Sequence, residues 1–232
     1  MLMTILFYII VIAFALIVIL WSVSEMMHNW QIGAVSTIIY AIGVIALLVR
    51  MIAAMVTGQL LSLDGLLSIF SFCFGLCCCY LQFSLMGTMI APLSAFLLIA
   101  LEMSDRFLQG FDYWLPMVGT VAQPWMRPAL VLAMVGLAIG TAGVMLAIMA
   151  FFRKRSTNEN TNPMIVGVTM RMPRHAARLV ILALLLLTLA MILYGFWCQI
   201  LYGVFWVRQP LFVVIAAGWM LLFGIKGLWL ER

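Results

Sequence analysis

Seven apolar runs, at residues 2–23, 31–56, 65–84, 86–101, 128–152, 179–200 and 211–229, occupy most of this chain of 232 residues. A helix needs about 20 predominantly apolar residues to cross the hydrocarbon core of a bilayer, at roughly 1.5 Å of rise per residue. Continuous runs of this length predict helices, because barrel strands would show alternating segments of about ten residues. The two runs either side of Gly87 are separated by the briefest turn, and short turns imply antiparallel neighbours. The expected fold is all-α: a polytopic transmembrane helix bundle of about seven spans, forming a single integral membrane domain over residues 1–232.

Composition closes off the other classes. Hydrophobic residues make up 67% of the chain and charged residues 8%, against roughly 45–50% and about 25% in soluble domains. A soluble shell could not hide that much apolar surface, which excludes a soluble enzyme, a disordered chain and a coiled coil. The net charge of +5 does not mark a nucleic-acid partner, because half of the basic residues lie between Arg153 and Arg178. In a membrane protein such clustering reports topology. The loop 153–178 opens FRKRSTNENTNP and closes RMPRHAAR, and is expected on the cytoplasmic side with a polar, mobile middle. Seven spans then place the N-terminus outside, Ser24–Trp30 inside, Glu102–Arg127 and Leu201–Gln209 outside, and the C-terminus inside. Basic residues divide eight inside and four outside.

The first run opens the chain as MLMTILFYII and lasts to Val23, with no basic n-region and no A-x-A site, and reads as a retained span rather than a cleaved signal. The expected location is a bacterial-type inner (plasma) membrane. Loop Glu102–Arg127 carries Asp105, Arg106, Asp112, Tyr113, Trp114, Pro116, Pro124 and Trp125, a composition suited to a short amphipathic helix at the headgroups.

Soluble-enzyme constellations are missing: the chain has no P-loop, G-x-S-x-G, H-E-x-x-H or helix-opening GxGxxG. No catalytic residue and no metal set is expected. His28 and His175 read as solvated loop residues. In CFGLCCCY, Cys73 and Cys77 share a helical face while Cys78 and Cys79 point elsewhere, so four thiols cannot converge on one ion. Together with Cys198 they are expected to be free and to pack or face lipid, with redox use, acylation or metal binding as the alternatives. Gly136, Gly140 and Gly143 form a small-residue stripe for close helix packing, against a neighbouring span or another subunit. Arg50 and Asp64 lie near the ends of apolar runs, where an arginine can snorkel to the headgroups. So few intramembrane polar groups argue against a coupled ion transporter but leave room for passage of an apolar solute.

The C-terminal stretch YGFWCQILYGVFWVRQPLFVVIAAGW holds Trp197, Tyr202, Phe205, Trp206, Phe212 and Trp219 around a short loop. Aromatics gather at membrane interfaces in any case. The alternative is a platform for a flat apolar ligand or a partner, built from Tyr202, Phe205, Trp206, Arg208, Pro210 and Trp219 with Tyr113, Trp114 and Trp125 of the long loop. Stacked rings give a flat apolar surface and Arg208 a fixed charge.

Leu185–Trp219 resembles the end of the core of the cytochrome c assembly family (the CcsA, CcmC and HemX-like proteins), whose tryptophan-rich loop has the form WGxYWxWDPKE. Tyr202-Gly203 stands where Trp-Gly would, Trp206 matches the second Trp, Arg208-Gln209-Pro210 stands where Trp-Asp-Pro would, and Trp219 matches a later Trp. Arg50, Gly58 and Asp64 resemble the family's helix-ending Arg and the loop after it, with GQLLSLDGLLSIFSF similar to the loop and helix start of the HemX-like branch. Ala91-Pro92 resembles a Pro-bearing fourth helix, and Arg174 and Arg178 the polar start of the helix before the tryptophan loop. The likeness covers roughly residues 35–230. It implies a membrane-embedded, haem-handling fold with the aromatic loop on the outer face.

The departures shape the expected function. Gln209 replaces the loop's Asp, Arg208 replaces a Trp, no His flanks the loop, and the family's further C-terminal span has no counterpart before Arg232. An axial-ligand pair for haem is not legible, so haem is left open as a cofactor. The expected function is a non-enzymatic membrane subunit of this fold, a scaffold or accessory in a hetero-oligomeric, haem- or cytochrome-related complex. The alternatives are an active haem-delivery or cytochrome c maturation factor and a permease for a small apolar solute.

Overall fold

The computed structural model describes residues 2–27, 30–59, 62–85, 90–108, 126–157, 163–207 and 209–227. These contain seven helices and no strand: α1 (Leu2–Met27), α2 (Trp30–Val56), α3 (Leu63–Ser84), α4 (Ile90–Leu108), α5 (Met126–Thr157), α6 (Pro163–Tyr202) and α7 (Pro210–Ile225). Five, α1, α2, α3, α5 and α6, are long and apolar enough to cross a membrane, and α4 and α7 are shorter apolar helices. The chain is an all-α integral membrane protein. It divides into two compact units, Met1–Asp112 and Tyr113–Arg232.

In the first unit α1 packs on α2 and α4, and α3 packs on α2 and α4, closing a four-helix ring. The inward positions recur every three or four residues: Ile10, Phe14 and Ile17 on α1, Tyr40 and Leu47 on α2, Phe74, Cys78 and Leu81 on α3, Ala91, Ala95 and Leu98 on α4. That spacing is one face of a 3.6-residue helix. The outward positions, such as Ile5, Ile9, Ile12, Leu16 and Ile19, are apolar as well, as a helix facing hydrocarbon requires. Ser62 caps α3 by accepting the Gly65 N–H at 3.1 Å, with Asp64 in the first turn. The α2–α3 turn passes through Gly58 at φ +72°, a left-handed conformation suited to glycine.

In the second unit α5 and α6 form a long pair, and α7 contacts both. The glycine stripe sets their register. A Cβ on Gly136 would stand 3.0 Å from Leu187, one on Gly140 3.3 Å from Ala183, and one on Gly143 3.1 Å from Val180. Each pair of numbers sums to 323, so the helices run antiparallel with residue i beside 323 − i. Gly140 also receives Leu222 of α7, 2.7 Å from the Cβ it lacks. The stripe's partners are thus the neighbouring helices of its own unit.

Two regions differ from the sequence reading. The basic segment 153–178 is helical through 157 and again from 163, with residues 158–162 outside the described residues. At 32 and 40 residues, α5 and α6 span about 48 and 60 Å, well beyond a hydrocarbon core of about 30 Å. A helix satisfies its own backbone hydrogen bonds and need not stop where the apolar run stops; arginine is also a good helix former. Likewise, α4 continues through Glu102 to Leu108. The proposed interfacial helix of the long loop falls on 109–125, outside the described residues.

Candidate functional site

The turn between α6 and α7 is built on a buried aromatic support. Gly203, at φ +67°, ends α6, and its N–H donates to the Gln199 carbonyl at 3.1 Å. Pro210 opens α7 after Gln209, a position where its missing N–H costs nothing. Between them, the Tyr194 hydroxyl of α6 donates to the Val207 carbonyl at 2.7 Å. The Tyr194 ring lies flat on Phe212 of α7, with centroids 3.6 Å apart and planes 8° apart. Trp206 meets both edge-on, at 5.1 Å from Tyr194 and 6.5 Å from Phe212. Trp197 also stacks on Tyr194, at 5.7 Å, and forms a T-shaped pair with Tyr202 at 5.8 Å.

Burial divides these rings into two sets. Tyr194, Trp197 and Phe212 are 0% exposed, whereas Tyr202, Phe205 and Trp206 are 40%, 56% and 37% exposed. The inner set pins the turn and the outer set is presented by it. Phe205 lies over Gly195, where a Cβ would come within 2.4 Å of its ring, so the glycine is what lets the ring lie against α6. The Trp197 Nε1–H is buried and has no acceptor among the described residues.

The expected platform is only partly assembled here. Tyr202, Phe205 and Trp206 come together, and Pro210 is exposed beside them. Trp219 sits nine residues into α7, about 13 Å along the axis. It donates to Thr188 Oγ1 at 3.0 Å and stacks on Phe223, away from the turn. Arg208, Tyr113, Trp114 and Trp125 lie outside the described residues, as does His28. His175 is partly exposed near the opposite end of α6. Tyr194, the hub of the cluster, was not singled out by the sequence. The signal was present: Ala183, Leu187, Ala190, Tyr194 and Trp197 follow each other at spacings of three and four and are all buried.

The first unit holds a cluster of charge that sequence reading recovered only in part. Arg50, near the end of α2, donates through one terminal nitrogen to Glu102 Oε2 on α4 and through the other to Asp64 Oδ1 in the first turn of α3. Arg50 and Glu102 are buried, and Asp64 is about one-third exposed at 35%. Arg50 therefore does not snorkel. It turns inward and ties three helices together where the end of α2, the start of α3 and the end of α4 meet. Glu102, read as the first residue of an external loop, continues the buried face of α4 after Ala91, Ala95 and Leu98. Two carboxylates share one guanidinium, in a place where an unpaired charge would be costly.

The cysteines are free: Cys78 and Cys198 are buried, and Cys73, Cys77 and Cys79 are partly exposed. Among the described residues no group of three or more His, Cys, Asp or Glu side chains is arranged to hold a metal. The described residues of the α6–α7 turn include no imidazole. No family model, curated protein or solved structure matches the chain.

Proposed function

We propose that this chain is a non-enzymatic integral membrane subunit that docks a partner through the aromatic turn between α6 and α7. It serves as a scaffold or accessory in a hetero-oligomeric complex of the cytochrome c assembly kind. The observation that carries the reading is Trp206, 37% exposed yet held edge-on against the buried Tyr194 and Phe212. A ring of an ordinary aromatic belt is anchored only by its own helix and the headgroups. Trp206 is braced by two helices and by the hydrogen bond from Tyr194 to Val207. Large, pre-positioned aromatics of this kind are the usual anchors of protein interfaces. Support for the cytochrome-related setting is the resemblance of Leu185–Trp219 to the tryptophan-rich loop. The distribution of basic residues, with half of them on the ends of α5 and α6 opposite this turn, supports an outer-face location in a bacterial-type plasma membrane, N-terminus outside and C-terminus cytoplasmic.

The test is purification of the full chain from its own membranes in mild detergent, beside Trp206→Ala. Cytochrome-assembly components should co-purify with the native chain. Their recovery should fall by about tenfold or more in the variant, as expected for an interface anchor worth 2 kcal/mol or more, with membrane content of the chain unchanged. Equal recovery from both proteins overturns the docking reading. A Soret band retained by the isolated chain would favour haem delivery, and solute flux in liposomes would favour a permease.

A further inference from the structure

Arg171, Arg174 and Arg178 on α6 are all exposed. At 100° per residue they fall within about 60° of one another on the helix surface and span about 10 Å of its length. The same face continues into Leu182, Leu185 and Leu189, which are exposed too. The opposite face carries Val180, Ala183 and Leu187, which meet the glycines of α5. One side of α6 is therefore committed to packing, while the other presents three guanidinium groups directly followed by an apolar track. No Asp or Glu occurs in α5, α6 or α7, so these helices supply no carboxylate to neutralise the arginines.

We propose that this face of α6 is a binding site for an anionic glycerophospholipid. The phosphate sits on Arg171, Arg174 and Arg178, and an acyl chain lies along Leu182, Leu185 and Leu189. The dimensions agree with a lipid at the edge of a bilayer. The headgroup zone is about 5–8 Å deep on each side of the core, comparable with the arginine stretch, and the apolar track starts one turn below Arg178. Guanidinium groups bind phosphate oxygens through paired N–H donors. Three of them along one face demand a ligand with net negative charge rather than a zwitterion.

The test uses the delipidated full-length chain in mild detergent, titrated with phosphatidylglycerol and with phosphatidylcholine of the same acyl composition, and read by native mass spectrometry. Phosphatidylglycerol should bind preferentially, and each Arg→Gln change should weaken it by about fivefold, the factor for one basic residue at an anionic headgroup. The Arg171→Lys, Arg174→Lys, Arg178→Lys variant should keep most of the preference. Leu185→Gln should weaken both lipids while leaving their ratio unchanged. Equal binding of the two lipids overturns the proposal, and is the result expected if an acidic partner protein is the true occupant. So does a preference that survives in Arg174→Gln and in the triple Gln variant, or displacement of phosphatidylglycerol by an equal concentration of inorganic phosphate. If the triple Gln variant fails to fold, Arg174→Gln alone decides the outcome: phosphatidylglycerol binding weakened by about fivefold supports the proposal and unchanged binding overturns it.

Discussion

Arg50 is the residue on which three helices of the first unit depend. Removing one partner of a buried ion pair leaves the other charge uncompensated and costs about 3–5 kcal/mol. Arg50→Gln is expected to lose stability of that order, measured by reversible unfolding of the purified chain in detergent. Glu102→Gln should cost more than Asp64→Asn, because Glu102 is buried and Asp64 is partly open to solvent; the reverse order would show that Asp64 is the principal partner. Tyr194→Phe keeps the stack on Phe212 and removes the hydroxyl that bonds to Val207, at a cost of about 1 kcal/mol. Backbone amides of the turn should then exchange faster with deuterium while those of α5 do not change. Unchanged exchange would mean that stacking alone holds the turn. Of these residues, Arg50 and Asp64 drew attention in the sequence because charge in an apolar run is costly wherever it lies. Glu102 did not, because an acid at the end of an apolar run looks the same whether its helix stops there or continues.

The pairing of α5 with α6 and α7 rests on small side chains. Gly140→Leu would drive a side chain into Leu222 and Ala183, and overpacking of this kind costs about 1–3 kcal/mol. Gly224 on α7 has nothing within 4 Å of its missing Cβ, so Gly224→Ala should be neutral or slightly stabilising through helix propensity. Thermal unfolding of the two variants side by side checks the contrast, and equal effects would mean that α5 does not need its close approach. Glycines spaced by four and three residues were legible as a packing stripe from sequence, because only small side chains let helix backbones approach closely. Their partner was not, since spacing along one helix says nothing about which helix faces it. The lengths of α5 and α6 were misread for a related reason. Hydropathy marks where a helix meets hydrocarbon, whereas its ends are set by caps and breakers. Neither Arg153 nor Arg178 is a breaker, and Pro173 lies within α6 without ending it.

At the scale of the whole molecule, an odd number of crossings places the two ends of the chain on opposite sides. Reporter fusions at residue 160 and at the C-terminus are expected to report the cytoplasm and a fusion at the N-terminus the opposite side. Agreement of all three would require that the short α4 fails to cross, whereas failure of the short α7 would place the C-terminus with the N-terminus and leave residue 160 on the other side. Run length and composition alone determined that the chain is helical and lives in a bilayer. In hydrocarbon every backbone N–H must be bonded within its own segment, so long apolar runs have few other options. The same reasoning located the aromatic turn, in the gap between the runs 179–200 and 211–229. Only the tertiary structure decided what each helix turns inward. Arg50 and Glu102 are 52 residues apart in sequence, and Arg50 and Asp64 are 14; their meeting depends on how three helices are rotated about their axes. Trp206 likewise became a braced ring because α7 folds back to lay Phe212 on Tyr194. Where both faces of a helix are apolar, hydropathy cannot say which face packs, and the small and polar side chains that decide it are read only against their neighbours.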